Sequence, residues 1–142
     1  MTDVFPKEVR SRIMSRIHSR DTLPELSVRS MVHRLGFRFR LHVRKLPGTP
    51  DLVLPRLQSV IFVHGCFWHG HPNCDRGKRP TSNTGFWRQK ITRNRARDKK
   101  SQLLLRKSGW RVCVVWQCEL DDKVRLIAKL SEFLSIGQAA HA

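Results

Sequence analysis

No apolar run in the 142 residues approaches the roughly 20 needed to cross a bilayer. The stretch from Met1 to Arg10 has no apolar core of the signal-peptide kind, so secretion is not indicated. No internal repeat and no low-complexity tract is present. Acidic side chains are scarce, with 11 Asp and Glu against 28 Lys and Arg. Cysteines number only four, too few and in the wrong context for a secreted disulfide scaffold. What is there is a chain of ordinary single-domain length, able to bury a core without disulfide support. A hydrophobic content of 39% and four Trp argue against disorder. The net charge of +17 points to a polyanion partner, most often nucleic acid.

That charge is uneven. Of the 28 basic side chains, 22 lie in the first hundred residues. Arg76 to Lys100 holds ten of them and a single acid, Asp98. A charged face bathed in water is the plain alternative. Residues 1–20 read as a basic N-terminal arm with Met14 and Ile17 among its few apolar side chains, and residues 21–142 as one domain.

Thr22-Leu23-Pro24-Glu25 predicts a helix start, with Thr22 as N-cap and Glu25 completing a capping box. Val28, Met31, Val32 and Leu35 follow at helical spacing, and Gly36 ends the helix. Phe37, Phe39, Leu41 and Val43 alternate with polar residues and predict a half-buried strand. Asp51–Leu54 and Val60–Val63 read as two more strands. A helix from about Phe86 to Lys107 is nearly polar all round in its first half, so it suits water or a polyanion. Arg88, Arg95, Lys99 and Arg106 share one of its faces. Trp110–Trp116 predicts a buried strand, and a last helix from Asp121 or Asp122 turns Leu126, Ile127, Leu130, Phe133 and Leu134 inward. The order α-β-β-β-α-β-α implies an α/β chain with a mixed sheet and helices packed on it.

Four constellations carry chemistry. Cys66, His71 and Cys74 are spaced C-x4-H-x2-C, and Cys118 offers a fourth ligand. Three thiolates and one imidazole suit a closed, structural zinc site; free thiols in a reduced compartment are the plain alternative. Cys113, inside Val112-Cys113-Val114-Val115, reads as core. His64 and His69 interleave with these ligands and suit acid–base work. Phe67-Trp68 and Phe86-Trp87 are aromatics in a basic, loop-rich stretch and suit stacking on bases or wedging between them. Asp51, after Pro50 at a strand start, can hold Mg²⁺ against a phosphodiester, although a lone turn-exit Asp often serves only local amides.

His64-Gly65-Cys66-Phe67-Trp68-His69, with Pro50-Asp51 upstream, resembles the Vsr family of very-short-patch-repair DNA mismatch endonucleases. Arg20-Asp21-Thr22, Leu46-Pro47-Gly48, Phe86-Trp87, Gly109-Trp110-Arg111-Val112 and Val115-Trp116-Gln117-Cys118 extend the resemblance over roughly residues 8–134. It implies a restriction-endonuclease-like PD-(D/E)xK core that nicks double-stranded DNA 5′ of the T in a T·G mismatch left by deamination of 5-methylcytosine. It implies Mg²⁺ on Asp51 and on the backbone carbonyl of Val63, His69 as general base, and Glu25 and His64 as supporting catalytic groups. Cys66, His71, Cys74 and Cys118 would hold zinc. Phe67, Trp68 and Trp87 would wedge beside the mismatch, with Met14 approaching from the arm. Arg88, Arg95 and Lys99 are expected on the DNA backbone. The implied setting is the bacterial cytoplasm, with the protein a monomer on the nucleoid and other repair proteins as candidate partners. Two departures stand out: the third strand has no second acid or Lys of the general nuclease motif, and Val63 stands where some members carry Thr. A zinc-stabilised nucleic-acid binder without catalysis explains the charge, zinc and aromatics but leaves Pro50-Asp51 and His69 without a task. A hydrolase using the zinc directly is opposed by its fully occupied ligand set.

Overall fold

A computed structural model describes residues 22–78 and 81–141. The expected arm over 1–20, with Met14 and Ile17, lies outside these residues. Helix α1 (Leu23–Arg34) starts where the sequence predicts: the Thr22 Oγ1 accepts the Glu25 amide at 3.3 Å. It ends in a Schellman motif, with Phe37 N–H on the Val32 carbonyl and Gly36 N–H on that of His33. Gly36 supplies the positive φ of 92° this motif needs.

The sheet has four strands in the order β1 (Arg40–Leu41), β2 (Leu52–Leu54), β3 (Ser59–His64) and β4 (Arg111–Trp116). The β1/β2 and β2/β3 pairs are antiparallel, and β3/β4 is parallel. Helix α2 (Thr84–Lys107) is the crossover that parallel pairing demands, and α3 (Lys123–Ala140) follows β4. Strand β3 is buried along its whole length because side chains leave it for two cores in turn. Ile61 and Val63 face the core of α1 and α3, while Val60 and Phe62 face a smaller core that includes Leu105 of α2. Cys113 sits in the larger core, as its apolar neighbours predict.

Three expectations change. The half-buried strand over 37–43 shrinks to Arg40–Leu41, both exposed. Phe37 and Phe39 do pack on the core, but only Arg40 and Leu41 pair with β2, opposite Val53 and Leu52, and His42 turns the chain out of the ladder at φ 46°. Strand β4 is half-buried rather than buried, because it ends the sheet. Ile127 is 40% exposed, since Leu126, Leu130 and Leu134 form the inward stripe and it lies about 100° round the helix from Leu126. Among the described residues no helix is long and apolar enough to cross a membrane.

Candidate active site and metal-binding loop

The carboxyl ends of β3 and β4 and the start of β2 meet in one place, and polar groups gather there. Asp51 directly precedes β2. Its Oδ2 accepts the Val63 amide at 2.6 Å, so the end of β3 fixes the carboxylate. Glu25 arrives from α1 and is buried. Its carboxylate turns to Arg29 Nη2 and to His42 Nε2, each 3.2 Å from Oε2. The capping role read from sequence therefore describes only its backbone. His42 Nε2 also lies 3.7 Å from Asp51 Oδ1. Burial above all, together with the nearby Glu25 carboxylate, pushes the Asp51 carboxyl up to about 7, against the pull of the Val63 amide. Two carboxylates this close in a half-buried cleft favour a cation between them.

His64 ends β3 and stacks face to face on His69, with ring centroids 3.9 Å apart and planes 3° from parallel. The His69 Nδ1 lies 2.6 Å from Asp98 Oδ2 on α2. A carboxylate on Nδ1 fixes the tautomer and leaves Nε2 as the basic nitrogen. The Asp51 and His69 groups line a common cleft of about 740 Å³, into which Arg44 and Arg97 also project. Three side chains here escaped the sequence reading. Asp98 had one signal, as the single acid in a run of ten bases. His42 and Trp116 had none.

Burial, then the neighbouring His69, lowers His64 to about 4, and its Nδ1 is buried with no hydrogen-bond partner among the described residues. An unfolded histidine binds a proton below about 6.5, whereas folded His64 refuses it until about 4. Stability is therefore lost as pH falls from about 6.5 towards 4, at no more than about 1.4 kcal/mol per pH unit. In urea titrations at pH 7 and pH 5, His64→Gln is expected to close part of its stability gap to wild type at the lower pH. An unchanged gap would count against this environment for His64.

The loop after β3 brings the four predicted zinc ligands together. One ligand atom from each of Cys66, His71, Cys74 and Cys118 lies within 4.8 Å of all the others. His71 Nδ1 stands 3.5 Å from Cys118 Sγ. The edge of a tetrahedron with ordinary Zn–N and Zn–S bonds is about 3.6 Å, so the donor set fits that ion. Burial pushes the Cys66 thiol up to about 12, so zinc binding there would have to displace that proton. The loop folds on itself through the His71 amide on the Cys66 carbonyl at 2.9 Å and the Gly77 amide on that of Cys74 at 3.0 Å. A Cβ on Gly77 would collide with the His71 carbonyl oxygen, so glycine is required there. Arg76 grips Asp121 through two hydrogen bonds of 2.6 and 3.0 Å and joins the loop to the turn carrying Cys118. Trp116 lies between the two clusters, edge-on to His64 at 5.2 Å and stacked on His71 at 4.1 Å.

Phe67, Trp68 and Trp87 form a half-buried cluster, with ring centroids 5.1 to 6.0 Å apart. Phe86, on the same helix turn as Trp87, is the most open of the four at 59% exposed. Lys90 Nζ lies 5.2 Å over the Trp68 ring. The Asn94 side chain donates to the Trp68 carbonyl at 2.8 Å and moors this loop to α2. Arg88, Arg95 and Lys99 are exposed on α2, as the polar first half of that helix predicts.

A basic α/β protein that gathers carboxylates and imidazoles in one cleft, beside exposed cations and aromatics, has the equipment to act on a nucleic-acid backbone. The DNA mismatch endonuclease Vsr family profile matches residues 2–76. The chain is 51% identical over 134 residues to the type II nicking enzyme V.XorIIP of Xanthomonas oryzae pv. oryzae, which covers 94% of this chain and 98% of that protein. It is 48% identical over 123 residues to the type II nicking enzyme V.NmeAIP of Neisseria meningitidis, covering 87% of each. It is 42% identical over 126 residues to the DNA mismatch endonuclease Vsr of Escherichia coli, covering 89% of this chain and 80% of that protein. The chain belongs to the Vsr family of DNA mismatch endonucleases, and DNA is the substrate of that family.

Proposed function

We propose that this protein nicks double-stranded DNA on the 5′ side of the T in a T·G mismatch left by deamination of 5-methylcytosine, and so starts very-short-patch repair. The observation that carries this reading is the shared cleft, which Asp51 with Glu25 and His69 with Asp98 all line. The same reading makes the fold a restriction-endonuclease-like PD-(D/E)xK core over 21–142, with the arm 1–20 and its Met14 reaching the DNA separately. It places the protein on the bacterial nucleoid as a monomer.

Asp51 and the Val63 carbonyl would hold Mg²⁺. In an extended strand the N–H and C=O of one residue face the same neighbour. The Val63 amide already reaches the Asp51 carboxylate, so its carbonyl is directed to the same side. Mg²⁺ bound there supplies charge neutralisation at the phosphate and at the leaving oxygen. His69 takes the proton from the attacking water, held in its tautomer by Asp98. His64, kept neutral by burial, packs under the base without adding charge to it. Cys66, His71, Cys74 and Cys118 would hold a structural zinc, whose closed ligand set leaves no position for substrate.

Loss of the base in His69→Ala is expected to slow nicking by roughly 10²–10⁴-fold with the protein still folded. Asp98→Asn removes only the orienting charge and is expected to slow nicking by less. Single-turnover rates on a T·G duplex measure both; wild-type rates in His69→Ala would remove this residue from the mechanism.

The aromatic cluster beside Lys90 would wedge into the duplex, where unstacking costs roughly a few kcal/mol per step and less at a weakened wobble pair. Arg88, Arg95 and Lys99 would bind the backbone, giving a salt dependence near −0.9 in log–log slope per phosphate. Trp68→Ala is therefore expected to reduce the preference for mismatched over matched duplex more than the overall affinity. An equal loss on both duplexes, measured by fluorescence anisotropy, would reject the wedge. The reading as a whole is tested by incubating the protein with a T·G duplex and Mg²⁺, with and without EDTA. One nick 5′ of the mismatched T, dependent on the cation, is expected; binding without a nick would leave a non-cutting DNA binder.

A further inference from the structure

His42 is the residue that joins the two carboxylates. It comes from the turn after β1, an element that holds neither of them. Its amide donates to the Asp51 carbonyl at 3.4 Å, so the same residue touches Asp51 through backbone and side chain. Its Nε2 stands 3.2 Å from Glu25 Oε2 and 3.7 Å from Asp51 Oδ1, with only 14% of the side chain exposed. One ligand atom from each of the three residues lies within 4.8 Å of the other two. A tether between α1 and the sheet would need one carboxylate partner; this imidazole has both functional carboxylates in reach and lines the cleft they face.

Resting on the Asp51 cation site proposed above, we infer that His42 is a positioning residue for that site. Its Nε2–H donates to Glu25 and holds that carboxylate beside Asp51, aimed as a divalent cation needs. Without a donor between them, two carboxylates this close would turn apart. Arg29 also holds Glu25, as an i,i+4 pair within α1, and its charge acts on Asp51 as well. His42 differs in coming from a separate element, the turn after β1, and in touching Asp51 through its backbone too.

The test is direct cation binding by the full-length protein, with Mn²⁺ as a paramagnetic substitute for Mg²⁺ read by EPR. Wild type, His42→Ala, His42→Gln and Asp51→Asn are compared, each with a thermal melt. His42→Ala is expected to weaken Mn²⁺ binding by roughly 10–100-fold, the usual cost of losing a group that orients a metal ligand. His42→Gln, whose amide can still donate, is expected to recover most of the loss. In nicking assays the Mn²⁺ concentration for half-maximal rate should rise in His42→Ala while the rate at saturating Mn²⁺ stays near wild type. Wild-type Mn²⁺ affinity in His42→Ala overturns the inference. Equal weakening in the Ala and Gln variants, in step with their loss of melting temperature, also overturns it and leaves a structural tether. If Asp51→Asn loses Mn²⁺ while His42→Ala does not, only the role of His42 falls. If Asp51→Asn binds Mn²⁺ as wild type does, the carboxylate site itself is wrong and the inference falls with it.

Discussion

Asp51→Asn is expected to abolish nicking of a T·G duplex while leaving the protein folded and bound to that duplex. The amide oxygen of Asn can still accept the Val63 N–H that Asp51 Oδ2 accepts now at 2.6 Å, so the end of β3 keeps its shape. What disappears is the charge that would hold the cation. The same substitution bears on stability. Asp51 is pushed up to about 7 from its ordinary 3.8, so the folded state binds this proton more tightly than the unfolded state. The stability tied to the protonated carboxyl is present below about pH 3.8 and lost as pH rises through about 7. Asn has no proton to lose. Above neutrality Asp51→Asn is therefore expected to melt at or above the wild-type temperature, the usual exchange of function for stability. Gel assays of nicking, anisotropy on the same duplex and melts at pH 6 and pH 8.5 test the three parts together. Nicking by Asp51→Asn at the wild-type rate would falsify the assignment of this site.

Cys118→Ala is expected to lose most of the folded structure, and Cys113→Ala very little. Both are single thiols on or just beyond β4, and only their surroundings differ. Cys118 joins Cys66, His71 and Cys74 in one cluster, whereas Cys113 lies in the apolar core. Closed zinc sites in small domains contribute on the order of 10 kcal/mol to folding. That is comparable with the whole stability of a domain, about 5–15 kcal/mol. The zinc would also join the loop after β3 to the turn after β4, a link of 52 residues along the chain made otherwise by the exposed Arg76–Asp121 pair and by side-chain packing. Cys113→Ala leaves only a small cavity, with a cost of about 1 kcal/mol. Metal analysis should find one zinc per wild-type chain. Brief EDTA treatment should stop nicking reversibly, by removing Mg²⁺, long before prolonged chelation lowers the melting temperature. A zinc-free wild type, or a Cys118→Ala variant that melts like it, contradicts the structural-zinc reading.

Much of this protein is written in short-range pattern. Thr22 and Gly36 mark the ends of α1 because capping is a contact of a few residues. The unbroken apolar run Val60–Val63, too short for a helix, and the nearly all-polar first half of α2 are likewise patterns within a few neighbouring residues. Cys66, His71 and Cys74 were legible for the same reason, lying in one tight loop. Cys118 could be added from sequence because it is a thiol outside the apolar core run, not because anything local places it there.

The pairings inside the cleft belong to the tertiary structure. Glu25 and His42 are 17 residues apart, and His69 and Asp98 are 29 apart. Their contacts depend on how α1 and α2 lie against the sheet, which no local period encodes. Trp116 meets His64 only because the parallel β3/β4 register sets those two residues opposite each other. Glu25 shows the division within one residue. Its backbone place, the third position of a capped helix, is set by Thr22 three residues before it. Only the packing of α1 beside Asp51 decided what its carboxylate does, because a buried charge takes the partners that the surrounding elements bring to it.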